Sequence, residues 1–118
     1  LKKFCDFKIS EDARGSITAF NSIEPVVTKR FFLIDCLRGQ WRGDHYHKLT
    51  NQTVYVIEGE IEVRVTTPET KKSFLMGVGD SYLQCAYQKF EFMSVSNSSR
   101  LLVLCDREHD KKDYYTEF

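Results

Sequence analysis

The sequence lacks the features that announce a membrane span, a secretory route or a structural metal. No apolar run approaches the roughly 20 residues that cross a bilayer, and the opening Leu1-Lys2-Lys3-Phe4 has no apolar signal core. The four cysteines, Cys5, Cys36, Cys85 and Cys105, are far apart and contain no C-x-x-C pair. That spacing argues against structural zinc and for reduced, mostly buried thiols, so the expected compartment is the cytoplasm. The sequons Asn51-Gln52-Thr53 and Asn97-Ser98-Ser99 carry no meaning there.

Neither charge is in excess, since 17 Lys plus Arg balance 17 Asp plus Glu. A neutral chain exerts no global pull on nucleic acid or anionic lipid, so neither partner is expected. Any anionic ligand is held by locally placed cations. Internal repeats and low-complexity segments are absent, and no long stretch keeps a clean helical period. The only two prolines, Pro25 and Pro68, fall between candidate strands, where a missing ladder donor does no harm.

What is present fits one domain spanning residues 1–118, with 42% hydrophobic and 29% charged residues, enough for one modest core. Apolar and β-branched runs recur over 16–20, 26–36, 53–57, 61–66, 73–76, 81–84, 90–95 and 101–105. Turn chemistry separates them at Arg38-Gly39, Glu58-Gly59-Glu60, Thr67-Pro68-Glu69, Gly77-Val78-Gly79-Asp80 and Asn97-Ser98-Ser99. Many short strands at such spacing predict an all-β sandwich or barrel. Ile61, Val63 and Val65 alternate with Glu62, Arg64 and Thr66, the period of a strand with one buried face. The charged, aromatic tail over 106–118 reads as a short helix or an arm over the barrel.

Chemistry concentrates at His45-Tyr46-His47, which holds two of the three histidines; the third, His109, lies in the tail. If this is a strand, residues 45 and 47 share a face with Cα atoms about 6.6 Å apart, at about 3.3 Å per residue. Two imidazoles then enter one pocket. Gly39, His45, His47 and Gly59 keep the spacing G-x5-H-x-H-x3-4-E-x6-G, with Gln52 in the acidic position. That spacing resembles the first cupin motif, and Gly79-Asp80 resembles the start of the second. The proline of the second motif is Cys85 here, and its histidine falls at or near Phe90. The expected fold is therefore a cupin: an all-β jelly-roll, or double-stranded β-helix, barrel.

Metal cupins hold their ion with three His and one Glu. Two imidazoles and an amide are a poor donor set for zinc, iron or manganese, so no metal or other cofactor is expected. Two pocket histidines suit proton transfer instead, because imidazole titrates near neutrality. Arg42 is placed to hold a fixed positive charge beside an enolate oxygen or a diphosphate. Lys48 points to the opposite face of a regular strand.

The match extends further. Asp12-Ala13-Arg14-Gly15, Lys29-Arg30-Phe31-Phe32-Leu33-Ile34, Arg42-Gly43-Asp44-His45-Tyr46-His47-Lys48 with Gln52, and Asp110-Lys111-Lys112-Asp113-Tyr114-Tyr115 occur in one order along nearly the whole chain. In this the chain resembles the nucleotide-sugar 3,4-ketoisomerases, which convert dTDP-4-keto-6-deoxyglucose to its 3-keto isomer. The pattern R-G-x-H-x-H-K-x3-Q carries most of the resemblance. It departs in four places: Ile34-Asp35 stands where the family often has a tyrosine, the loop to His45 is about one residue short, Tyr46 replaces a small residue, and a proline and tryptophan are missing around 85–90.

The resemblance implies an isomerase acting on a dTDP-linked 4-keto-6-deoxy sugar through an enediolate. His45 and His47 are then the acid/base pair, in an order the sequence leaves open, and Arg42 stabilises charge. Arg30, Gln52, Lys48 and Asp35 are candidate substrate contacts, and Arg14 reaches phosphate in a neighbouring subunit of a homodimer. The product feeds an aminotransferase in surface-polysaccharide biosynthesis. Three rivals share the pattern: a 3- or 3,5-epimerase, a non-catalytic sugar-binding cupin, and a metal cupin.

Overall fold

Alternation in the central strand becomes layered structure. In the computed structural model, which describes residues 5–22 and 27–118, Ile61, Val63 and Val65 are buried to within 1% exposure while Glu62, Arg64 and Thr66 turn outward. Each second side chain thus enters the core. Full burial of one such aliphatic side chain is worth about 1.5–3 kcal/mol.

The described residues form nine strands: β1 (Cys5–Asp12), β2 (Gly15–Ser22), β3 (Arg30–Leu37), β4 (Gln52–Glu58), β5 (Glu60–Thr66), β6 (Lys71–Gly77), β7 (Ser81–Gln84), β8 (Lys89–Ser94) and β9 (Ser98–Cys105). A short 3-10 turn, Lys111–Asp113, follows. One antiparallel sheet has the order β3-β9-β4-β7 and a second β6-β5-β8, while β1 and β2 form a separate hairpin. Val54, Val56, Leu101 and Val103 of the first sheet share one core with Ile61, Val63, Val65, Met76 and Phe92 of the second. The all-β cupin architecture expected from the motif spacing is present.

Gly59 sits in the β4–β5 turn at φ 76°. A Cβ there would lie 2.5 Å from Ser99 Oγ and 2.6 Å from the Ser98 carbonyl, so the turn requires glycine. Gly43, at φ 87°, lets the approach to the histidines pass against β8, where a side chain would strike the Phe90 carbonyl.

Four expectations change. The run expected over 16–20 widens to Gly15–Ser22, and its partner Cys5–Asp12 has no apolar run to betray it. An Asx turn sets that pairing: the Arg14 amide donates to Asp12 Oδ1 at 2.8 Å, and Gly15 takes φ 133°. The strand expected from 26 begins at Arg30; Val26 and Pro25 lie outside the described residues. His45-Tyr46-His47 is not a strand, for its one ladder contact is the bridge from Tyr46 to Tyr115. The tail takes both forms weighed for it, a helical turn followed by an arm.

Candidate active site

Three tethers, rather than a sheet, hold the segment from Arg42 to His47, which turns tightly at Asp44, where the His45 amide donates to the Gly43 carbonyl at 2.7 Å. Arg42 exchanges both backbone hydrogen bonds with Phe92 of β8, at 2.9 and 3.0 Å. Tyr46 does the same with Tyr115, at 2.8 and 3.0 Å. The His47 carbonyl accepts from the Tyr87 amide at 2.6 Å. Between these points the odd-numbered imidazoles face one way and Tyr46 the other. Tyr46 is buried, stacks on Phe118 and Tyr115, and donates its hydroxyl to the Glu117 carbonyl at 2.6 Å.

His45 and His47 sit with ring centroids 5.2 Å apart, edge to face. Both line a cavity of about 330 Å³ between the sheets, together with Arg30, Arg42, Gln52, Gln84 and Tyr114. Phe90, at the position where a second cupin motif would carry histidine, lines it too and is buried. Among the described residues no three His, Cys, Asp or Glu side chains are placed to share a metal ion.

His47 is almost wholly buried, and its Nδ1 lies 2.9 Å from the Asp113 backbone carbonyl. A carbonyl oxygen only accepts, so Nδ1 carries the hydrogen and the neutral ring leaves Nε2 as a free base. The Asp113 side chain fixes the same loop: its carboxylate accepts from the amides of Lys48, Leu49 and Thr50 and from the Thr50 hydroxyl. Burial pushes this carboxyl up, yet those hydrogen bonds together hold it below its ordinary value. His45 is held below the usual imidazole value, chiefly by burial and next by His47, with Asp44 opposing and Lys89 adding. His45 is therefore biased toward its neutral form, able to accept a proton.

Gln52 belongs to a chain of amides. Its Nε2 donates to Gln84 Oε1 at 2.7 Å, and Gln84 Nε2 donates to the Gln88 carbonyl at 2.8 Å. The buried Cys105 thiol donates to Gln52 Oε1 at 3.3 Å, and burial raises the pKa of that thiol. Arg30 lies over the Phe32 ring at 4.5 Å. With Arg42 it gives the cavity two guanidinium groups. Among the described residues its one carboxylate, Asp35, is mostly exposed and tied to Arg100 at 2.7 Å. The net field favours an anion.

The structure thus gathers His45, His47, Arg42, Arg30, Gln52 and Asp35 around one cavity. Arg14 is elsewhere, exposed at the tip of the β1–β2 hairpin and paired with Asp12 at 2.6 Å. Lys48 lies over the Tyr115 ring at 4.2 Å, outside the cavity lining. Sequence reasoning passed over Gln84, Asp113 and Tyr114. Gln84 was legible as a polar residue at an inward position of a strand end, while Asp113 and Tyr114 were legible only as part of the family-like segment Asp110-Lys111-Lys112-Asp113-Tyr114-Tyr115, with no role attached.

A family model described as FdtA: WxcM-like, C-terminal matches residues 2–118. No curated protein matches the chain. The chain is similar to a variant of the 3,4-ketoisomerase QdtA of Thermoanaerobacterium thermosaccharolyticum, solved with TDP-4-keto-6-deoxyglucose. That match has a TM-score of 0.74 and 23% identity, over 96% of this chain and 85% of that one. A 3,4-ketoisomerase from Helicobacter canadensis gives a TM-score of 0.77 at 24% identity, over 95% of this chain and 87% of that one. The 4-keto-6-deoxy sugar epimerase NovW of Streptomyces spheroides gives 0.72 at 15%, over 93% and 65%. Identities this low establish a shared fold.

Proposed function

Because the chain belongs to the FdtA family, described as WxcM-like, C-terminal, we propose that it is a nucleotide-sugar isomerase that moves the keto group of a dTDP-linked 4-keto-6-deoxyhexose from C4 to C3. The observation that carries this reading is the imidazole pair. His45 and His47 face one cavity 5.2 Å apart, and the bond from His47 to the Asp113 carbonyl sets the hydrogen on Nδ1, so that Nε2 is the basic nitrogen of the neutral ring. The ketoisomerase solved with TDP-4-keto-6-deoxyglucose supports the substrate class.

In this reading His47 Nε2 takes the C3 proton. The electrons left behind form an enediolate across C3 and C4, and Arg42 stabilises its charge. A proton passes between the two oxygens, and the same imidazolium returns its proton to C4. His45 is its partner in this exchange. Arg30 holds the diphosphate or sugar, as a bidentate cation suits, and Gln52 orients the ring through its fixed amide. Asp35, at the cavity margin, is a further substrate contact, and Lys48, outside the lining, acts through the Tyr115 ring it covers. No metal or other cofactor is required, because the reaction is two balanced proton transfers.

The proposed assembly is a homodimer. Phe31 and Leu37 stand 70% and 67% exposed on the outer face of edge strand β3, outside the cavity lining, apolar surface that an edge strand seldom leaves bare. Arg14, on the projecting hairpin, reaches phosphate in the partner's site. The proposed compartment is the cytoplasm, in keeping with buried, unpaired Cys36 and Cys105. The 3-keto product suits an aminotransferase that makes a 3-amino sugar for a surface glycan.

Incubation with dTDP-4-keto-6-deoxyglucose in D₂O, followed by NMR, tests the reading. A carbonyl at C3 is the expected product, with deuterium at C4 in the fraction of turnovers in which the imidazolium exchanges with solvent before it reprotonates the carbon. Inverted centres at C3 or C5 with the carbonyl unmoved would mean an epimerase, and an unchanged sugar would mean a binding protein.

A further inference from the structure

Resting on the ketoisomerase reading, we propose that Tyr114 is a further catalytic residue, the phenol that carries the proton between the two sugar oxygens. The reaction handles protons at two kinds of atom. The carbon-bound proton moves from C3 to C4 through an imidazole. The oxygen-bound proton must arrive on O4 and leave O3, which calls for a group that both donates and accepts. Among the described residues lining the cavity, Tyr114 is the one with a hydroxyl.

Its placement is built. The preceding residue, Asp113, is tied down through its carboxylate by the 48–50 loop and through its carbonyl by His47. The following residue, Tyr115, is bridged to Tyr46. Between these anchors the Tyr114 ring stacks on His45 with centroids 4.8 Å apart and an interplanar angle of 29°. It meets His47 edge-on, also at 4.8 Å. The same carbonyl that orients His47 therefore also sets the neighbouring phenol. The Tyr114 hydroxyl lies 3.4 Å from His109 Nδ1, and Tyr114 and His109 share a small hollow with His47, Arg30 and Gln52 of the cavity.

The steps balance. His47 Nε2 takes the C3 proton to leave the enediolate that Arg42 stabilises, and O4 then takes the Tyr114 proton, giving an enediol, an imidazolium and a phenolate. The phenolate then takes the O3 proton, C3 becomes the carbonyl, and the imidazolium delivers its proton to C4. Both side chains end as they began, and no oxidant or further reactant is needed.

Tyr114→Phe tests this, because it keeps the ring over both imidazoles and removes only the hydroxyl. The measurements are kcat by NMR with dTDP-4-keto-6-deoxyglucose and Kd for dTDP by calorimetry, on wild type, Tyr114→Phe and Tyr114→Ala. General acid/base groups contribute about 10²–10⁴-fold. The expected result is a fall in kcat of about 100-fold or more in Tyr114→Phe, with Kd within about twofold of wild type. Wild-type kcat in Tyr114→Phe with loss only in Tyr114→Ala would reduce Tyr114 to ring packing and overturn the proposal. Parallel loss of dTDP binding and kcat in Tyr114→Phe would overturn it as well. A wild-type chain that moves no carbonyl would overturn the ketoisomerase reading itself, a result separable from these.

Discussion

Gln52 donates to Gln84 across 2.7 Å, and the direction of that bond is dictated two residues away. The Gln88 backbone carbonyl only accepts, so Gln84 must turn its amide nitrogen to it, at 2.8 Å, and present oxygen to Gln52. Gln52 must then offer nitrogen to Gln84 and oxygen to the Cys105 thiol. A carboxylate at position 52 would set oxygen against oxygen at the Gln84 contact. The neutral amide is thus enforced by its neighbours, whatever the ancestral residue of a metal-binding cupin was.

Gln52→Glu is accordingly expected to lower stability by about 1–3 kcal/mol, the cost of leaving buried polar groups unpaired. Denaturant unfolding at pH 7 measures it. Gln52→Glu combined with Gln84→Leu removes the facing oxygen, so the two changes should be clearly non-additive. Strict additivity would refute the directional chain.

His47→Asn removes the one imidazole whose free nitrogen the fold has fixed. Carbonyl migration is expected to fall by about 10²–10⁴-fold, with dTDP affinity nearly unchanged. A second readout is independent of turnover. His47 is the second cause, after burial, of the depressed pKa of His45. In the variant the His45 ring should titrate higher than in wild type, seen by NMR of the ring protons. An unmoved His45 titration would show that the two imidazoles do not sense one another.

Much of this architecture is legible before any coordinates, and the reason differs by element. The alternation in β5 survives because both neighbouring strands bury the same face. Motif spacing finds His45, His47 and Gln52 because chain distance from Gly39 and Gly59 fixes where the strands turn. What stays hidden depends on long-range pairing. His45 and His47 share a face without being in a strand, and the tether responsible, Tyr115, lies 69 residues beyond Tyr46. Asp113 and Tyr114 look like any polar-aromatic tail until the 48–50 loop closes on them. Strand β1 is equally silent, since an Asx turn and a glycine set its pairing rather than apolar content.

Asp113→Asn should destabilise the fold by about 2–4 kcal/mol, because four donors converge on its buried carboxylate and an amide returns hydrogens toward them. The wild type carries the matching pH signature. The carboxyl is depressed in the folded chain, so its contribution is complete above the unfolded-state value of about 3.9. It fades as pH falls from there toward the folded value, since the unfolded chain takes up the proton first. The loss of stability across that acid window should be smaller in Asp113→Asn than in wild type, measured by urea unfolding at a series of pH values.

Phe31 is 70% exposed and Leu37 67%, on the edge strand β3, whose inner side chains serve the core and the cavity. Arginine at Phe31 places a charge on the outer face without touching the cavity lining. If a second copy covers this face, Phe31→Arg should shift the light-scattering mass of the purified chain from twice the monomer mass to the monomer mass. Burying an unpaired guanidinium at such a contact costs several kcal/mol, enough to move a micromolar dimer to monomer at assay concentrations. The variant's own stability should change little, because surface substitutions usually stay within about 0.5 kcal/mol. A wild-type chain that is monomeric, or a Phe31→Arg chain that stays dimeric, removes β3 as the interface. If the dimer also lends the Arg14 hairpin to the partner's phosphate site, the monomeric variant should bind dTDP more weakly while its His45 and His47 titrations stay as in wild type. Loss of affinity and loss of proton chemistry would then separate, with assembly governing the first and the 113–115 tether governing the second.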